Sequence, residues 1–541
     1  MQAQPFRLVR QDLGALPLFD HTIQRIELLQ FLTEAMGQAR YAEAILLLLK
    51  NILIERNALY AIQEWAAPYD PALVYGGRYG DDVLARALDR LFEADRASLL
   101  TRVVLHAVKT DAIDLNQIHQ DTTSVKLAGA YVNQRRSAVK LARGYSKDHR
   151  PDLKQLVYEL SVTHDGAVPV LFKAHDGNRT DDTLHEENWQ TLRGILGRSD
   201  FLYVADSKLC VSKTLMNIDR NQGRFITIMP RTRAEVEQFR NKVYSSLVRW
   251  EKVCAKRSSR EQGRIDLYEV AIGLYQMQEG FKIYWFRSSE KVRRDWNERE
   301  DKVAAAMDQL RMLADPERKH GPKTENALRR KVELILSNVE DWIRVDITLK
   351  EVEKFQQLKR GRSSSNTIYR RTVHQVPAIH CARDENAISQ SAAMDGIFPL
   401  VTNTSLESSA VLRAYKYQPK LEKRHALLKS GLAVAPIFLK KNLRVEALMF
   451  VYFLAQLVSA LIERQMRNAM RDRGIPQIQI LPEERPSATP TTEQMTRVFR
   501  PCTRHLLFTE TGDLVQTFPI PLTPIQKQIL SLLSISPNLY D

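Results

Sequence analysis

The stretch LVYELSVTHDGAVPVLFKAH, residues 156–175, constrains the fold more than any other part of the chain. Two runs rich in Val, Leu, Tyr and Phe flank Asp165-Gly166, the turn chemistry of a hairpin. Strands joined by so short a connection must pair antiparallel. Upstream, DLNQIHQD is a short strand candidate ending at Asp121. Downstream, HEENWQTLRGIL reads as a helix, while FLYVAD and RFITIMP read as buried strands. The order strand, hairpin, helix, strand, helix, strand predicts a mixed α/β core. In it, Asp121 and Asp206 are each expected at the C-terminal end of a strand, where ligands of α/β sheets tend to bind.

The flanking regions have a different texture. Residues 1–110 are expected to be a helical N-terminal domain. In DDVLARALDRLFEADRASLLTRVVLHAV, Val83, Leu84, Ala87, Leu88 and Leu91 share one helical face, and the pattern resumes at Leu99. The break EADRAS suits a helix-turn-helix that binds DNA ends, and it equally suits plain bundle packing. Residues 111–230 would carry the first part of the core. An uneven region, 231–394, is expected to be an inserted domain with the basic, Ser-rich loop LKRGRSSSNTIYRR. The core would resume over 395–470 with a helix around YKYQPKLEKRHALLKS and a long one at 441–468. Residues 471–541 read as a Pro/Thr-rich linker and a small C-terminal segment.

Composition narrows the partners. Lys and Arg number 79 against 64 Asp and Glu, a formal charge of +15. Such an excess favours a polyanion, because each cation that neutralises a phosphate releases condensed counterions. Cys210, Cys254, Cys381 and Cys502 are widely spaced and form no CxxC pair, which argues against a zinc site or a disulfide framework and for a reducing, cytoplasmic setting. The apolar runs AILLLLKNILI and ALMFVYFLAQLVSALI fall below membrane-spanning length and are expected to be core helices, so no membrane partner is predicted.

An Asp followed by two threonines also suits a cap or a turn. Asp121 acquires chemical meaning only if other acids meet it. Glu422 is the third candidate: on one continuous helix, Tyr415 and Lys429 lie seven residues to either side, on nearly the same face. Taken alone, this is equally the pattern of a solvated helix.

IHQDTTSV, GYSKDHRPDLKQLVYEL, DGNRTDD, YVADSKL, DGIFPLVTN and YKYQPKLEKRHALLKS occur in an order that resembles the DDE transposases of bacterial insertion sequences, in the branch with a Tyr-Arg-Glu-Lys signature. The resemblance implies an RNase-H-like catalytic core, a mixed sheet with flanking helices, interrupted by the insertion. It implies Asp121, Asp206 and Glu422 as catalytic residues that hold two Mg²⁺ ions, with Mn²⁺ as a substitute. Double-stranded DNA would be the partner, as terminal inverted repeats and target, with a homodimer in the synaptic complex and the nucleoid as the setting. Tyr415 would contact DNA, and Lys429, Lys147, His149, Arg150, Lys359, Arg360, Arg362, Arg370 and Arg371 would line one groove to the acids, with the insertion covering the DNA end. The signature departs at Gln418, where the family has Arg, losing the charge and the planar fork. A DNA-binding protein of the same ancestry without activity, and a metal-dependent nuclease without strand transfer, stay open as alternatives. A tyrosine recombinase would need arginines clustered around Tyr415, and the sequence offers none.

Overall fold

The computed structural model describes residues 6–129, 131, 137–144, 150, 152–179, 184–257, 263–314, 322, 324–337, 339 and 341–541, without the side chains of 374–377. The chain forms two compact units: Met1–Thr227 with Thr402–Ser405 and Ala410–Asp541, and Ile228–Val401 with Leu406–Ser409.

The first unit opens with a strand, β1 (Arg7–Asp12), where the sequence predicts helix. Its helices are α1 (Leu16–Arg25), α2 (Leu28–Met36), α3 (Ala39–Ile54), α4 (Ile62–Ala66), α5 (Asp81–Glu93) and α6 (Arg96–Thr110). Asp95 separates α5 from α6 by accepting from Ser98 N at 3.0 Å, an N-cap that starts the second helix. Within α3, the interrupting Lys50 is buried and paired to Asp20 at 2.5 Å.

The core strands are β2 (Gln117–Leu127), β3 (Lys154–Thr163), β4 (Pro169–His175), β5 (Leu202–Ala205) and β6 (Arg224–Ile228), lying in the order β4-β3-β2-β5-β6. The first three pair antiparallel, as the hairpin predicts, while β5 runs parallel to β2 and β6 parallel to β5. Helices α7 (Leu184–Leu196) and α8 (Ser212–Arg220) make the connections. β2 runs well past its expected end, because Thr122, Thr123 and Val125 are β-branched and extend the strand. Asp121 therefore sits in the middle of a strand, opposite Leu160, and not at its end.

The helix expected around Glu422 is broken into α13 (Ser408–Tyr415) and α14 (Gln418–Ala426), followed by a π-turn at Leu427–Gly431. Pro419 explains the break: it has no N–H to continue α13 and is at home in the first turn of α14. Leu432 N bonding to Leu427 O at 2.7 Å closes the wider turn. Tyr415, Glu422 and Lys429 thus stand on three separate helical segments, and the single seven-residue face predicted for them does not exist.

Helix α15 (Asn442–Asp472) has 31 residues and is long and apolar enough to cross a membrane by length and composition. Its most apolar window is 94% buried inside the structure, the condition of a core helix. Beyond it lie α16 (Thr492–Phe499), β14 (Thr503–Phe508), β15 (Leu514–Phe518) and α17 (Pro524–Leu532). β14 pairs with both β1 and β15, so the C-terminal stretch read as a linker and small segment shares a sheet with the N-terminus.

The second unit contains α9 (Ala234–Tyr244), β7 (Trp250–Arg257), β8 (Ile265–Ala271), β9 (Tyr275–Gln276), β10 (Lys282–Ser288) and α10 (Ser289–Ala314). It continues through α11 (Glu325–Leu336), β11 (Ile343–Gln357), β12 (Tyr369–Arg383), α12 (Glu385–Ala392) and β13 (Ile397–Thr402). β13, β10, β8 and β7 are consecutive neighbours in a sheet, and among the described residues β11 pairs only with β12. The ribbon's base is held by an apolar cluster that includes Val303, Leu310, Leu328, Trp342, Ile343 and Ile379.

Candidate active site

Gln117, Ile118 and His119 pair in parallel with Leu202, Tyr203 and Val204. Two steps further along each chain bring Asp121 level with Asp206. Side chains alternate with period two, so both acids take the face of the sheet that His119 takes. β5 stops at Ala205, and Asp206 caps the 3₁₀ turn Ser207–Leu209 by accepting from Lys208 N at 3.0 Å. Thr227 Oγ1 donates to the Asp206 carbonyl at 2.6 Å and steadies the strand end.

Helix α14 is fastened over the same face. His119 is fully buried, and burial pushes its pKa down to about 4, against a smaller upward pull from its bond to Gln418. A neutral ring with its proton on Nδ1 satisfies both neighbours. Nδ1–H donates to Gln418 Oε1 at 2.8 Å, and Nε2 accepts from Gln117 Nε2 at 2.7 Å. Gln418 Nε2 donates in turn to the Gln120 carbonyl at 3.0 Å. Gln418 thus bonds to the backbone next to Asp121 and fixes the start of the helix that carries Glu422.

The three acids share one neighbour. Burial pushes the Tyr415 hydroxyl up to about 12, and the carboxylates of Asp206, Glu422 and Asp121 all push it the same way. Glu422 itself is exposed on α14, three residues before the buried His425. His425 Nε2 lies 3.7 Å from Asp121 Oδ2, and His185 Nε2 lies 3.4 Å from Asp206 Oδ1. The ring of His185 also meets Tyr203 Oη at 3.3 Å through Nδ1. Asp121 and Asp206 side chains are 21% and 41% exposed, so both reach solvent.

Like charges gathered round one hydroxyl favour a cation among them. Among the described residues, no three His, Cys, Asp or Glu side chains close on a single ion. Carboxylate oxygens are the hard donors that Mg²⁺ takes, and Mg²⁺ retains several waters, so few protein ligands suffice. The carboxylates of Asp121, Asp206 and Glu422 are thus of the donor type that Mg²⁺ takes, and they do not close on one ion gripped by all three.

The remaining predicted residues fall out as follows. Lys429 is half-buried on the π-turn after α14. Arg150 is exposed and forks onto Asp152 with bonds of 2.8 and 2.7 Å. Lys147 and His149 lie outside the described residues. Arg370 and Arg371 are adjacent in β12, which sends them to opposite faces of the ribbon, and Arg371 is paired with Glu353. Sequence reasoning missed His119, His185 and His425. Only His119, one strand period before Asp121, and His425, one helical turn after Glu422, carried a signal.

Fold and site together define a mixed α/β protein with two carboxylates, Asp121 and Asp206, level with each other on neighbouring parallel chains. No protein-family profile matches the chain, and no curated protein matches it. Among solved structures, a piggyBac transposase synaptic complex with hairpin DNA is similar at a TM-score of 0.38 and 8% identity, over 90% of this chain and 78% of that one. A likeness of that degree carries no argument about this chain.

Proposed function

We propose that the protein is a DDE transposase with an RNase-H-like core, which cuts the ends of an insertion sequence and joins them to target DNA. The observation that carries the reading is the parallel register of β2 and β5, which brings Asp121 level with Asp206; the charges of both, and of Glu422, raise the pKa of the Tyr415 hydroxyl. The sheet order β4-β3-β2-β5-β6, antiparallel and then parallel, supports the core assignment.

Asp121, Asp206 and Glu422 would hold two Mg²⁺ ions. Bound there, divalent cations supply activation of a water nucleophile and stabilisation of the leaving oxygen. The first displacement opens a phosphodiester with water and frees a 3′-OH. That hydroxyl then attacks target DNA or the opposite strand. Tyr415 stays protonated at neutral pH, since its hydroxyl is pushed up to about 12. It serves as a hydrogen-bond donor to phosphate oxygen. Lys429 and Arg150 are assigned to the DNA backbone, and Gln418 to holding α14 on the strand that bears Asp121.

The test is Asp121→Asn in the full-length protein with end DNA. Removing one metal ligand and no phosphate contact should reduce Mg²⁺-dependent nicking to background while DNA affinity stays within about twofold, since each 1.4 kcal/mol is tenfold. Nicking that persists in the variant overturns the assignment.

A further inference from the structure

The β11–β12 ribbon keeps its partner to itself. Burial alternates along the base of β11 through Ile347, and from Thr348 to Gln356 every residue is exposed. The arm beyond that point presents both faces to solvent, including Leu349, Val352, Phe355, Tyr369 and Val373. A lone two-stranded hairpin is marginal in water, so such an arm needs its anchored base and favours an external surface.

The register separates two unlike faces. Leu349, Glu351, Glu353 and Phe355 share a face with Tyr369, Arg371 and Val373. On it, Glu353 pairs with Arg371 and Glu351 adds another negative charge. Lys350, Lys354 and Arg370 project from the other face, where no acid follows from Lys350 outward. The tip adds Lys359, Arg360 and Arg362, all exposed and again without an acid. Like charges on one side of a narrow arm repel each other, and a polyanion relieves that repulsion.

We infer that the outer half of this ribbon is a duplex-DNA-binding arm, with Lys350, Lys354 and Arg370 facing the DNA and Lys359, Arg360 and Arg362 at its tip. The dimensions agree. Two strands lie about 4.8 Å apart, and a major groove about 12 Å wide admits a two-stranded ribbon. Nine residues from Leu349 to Gln357 extend about 30 Å at about 3.4 Å each, close to one duplex turn of about 34 Å. The identity of the polyanion as DNA rests on the proposed function, which this inference deepens by naming the element and face that bind.

The experiment measures binding of the full-length protein to a random-sequence 40-base-pair duplex in EDTA across a salt series. In Lys350→Gln/Lys354→Gln/Arg370→Gln, the slope of log affinity against log salt should fall by about two to three, at about 0.9 per phosphate contact. Affinity at low salt should fall at least tenfold, while the melting temperature stays unchanged because all three residues are exposed. The opposite-face control, Glu353→Gln/Arg371→Gln, should leave slope and affinity as in wild type. An unchanged slope in the triple variant overturns the arm, as does wild-type protein that fails to bind the duplex. A DNA-free dimer that Phe355→Ser breaks while the triple variant binds normally also overturns it, assigning the arm to a second copy. The two readings separate cleanly by a parallel assay of nicking on end DNA in Mg²⁺. Wild-type nicking with unaltered binding in the triple variant leaves the transposase standing and removes the arm. Weakened binding with no wild-type nicking does the reverse.

Discussion

Gln418 stands where the signature has an arginine, three residues after Tyr415, and its amide is fully engaged with β2 through His119 and the Gln120 carbonyl. An arginine there has donors only and cannot accept from His119 Nδ1–H. Gln418→Arg is therefore expected to destabilise the protein by about 1–3 kcal/mol, the cost of an unsatisfied buried donor, with no gain in cleavage. Denaturant unfolding and a nicking assay check this, and a stable, more active variant would show that 418 belongs to DNA handling. His119 adds a pH signature. Its folded pKa of about 4 lies below the unfolded value of 6.5, so the unfolded chain binds the extra proton between those values. Stability from the neutral ring is complete above pH 6.5 and is lost as pH falls toward 4, by about 3 kcal/mol at about 1.4 kcal/mol per unit. The stability advantage of wild type over His119→Asn, measured in EDTA, should shrink by that amount between pH 7 and 4. A constant gap would mean that the ring is already accessible to protons.

Helix α14, which carries Glu422, is held by α15 as well as by β2. Arg424 bonds Glu463 at 2.9 Å, the Ala167 carbonyl at 3.0 Å and the Gly166 carbonyl at 3.1 Å, tying α14 to α15 and to the hairpin turn. Gln456 of α15 donates to the Arg424 carbonyl at 2.6 Å and accepts from Tyr158 Oη at 2.8 Å. Arg424→Met should cost roughly 3–5 kcal/mol, because it leaves the buried Glu463 with Arg467 at 3.2 Å as its remaining cation, beside the Thr492 N–H at 3.2 Å. Adding Glu463→Gln should recover more than about 1 kcal/mol by removing the stranded charge, a coupling that a double-mutant cycle in urea measures. None of this was legible beforehand, since the partners come from distant parts of the chain and no local pattern announces them. The hairpin was legible, because its two apolar runs and Asp165-Gly166 act over a few residues. The break before α14 was written in Pro419, yet the apparent seven-residue spacing from Tyr415 through Glu422 to Lys429 outweighed it. The β11–β12 ribbon was hidden for the opposite reason: TLKEVEKFQQ buries almost nothing, so it lacks the apolar alternation by which a strand is read.

At the scale of the molecule, the chain ends are structural partners. Arg7 to Asp12 pair with Phe508 to Thr503, and Leu13 and Gly14 both donate to the Cys502 carbonyl. Tyr540 Oη donates to the Gly14 carbonyl at 3.1 Å, and Arg504 reaches Asp70 at 2.5 Å. On the other side, Gln465 of α15 donates to Leu533 O at 2.8 Å and Arg473 to Ser531 Oγ at 2.9 Å. Phe499, Ile529, Leu530, Leu532 and Tyr540 are all buried in this arrangement. Burying a large apolar side chain contributes about 1.5–3 kcal/mol, so these five alone approach the 5–15 kcal/mol by which a folded domain is typically stable. Deleting residues 492–541 should therefore not trim a tail. It takes away the strand to which β1 is paired and strips α16 and α17 from α15. The expected result is loss of the cooperative thermal transition of the first unit, with amides of residues 7–12 exchanging at the rate of unfolded chain. Calorimetry and hydrogen exchange on the truncated protein decide it. A melting temperature within a few degrees of wild type would show that α16, β14, β15 and α17 are an appendage, and that the sheet joining β1 to β14 contributes little to holding the first unit together.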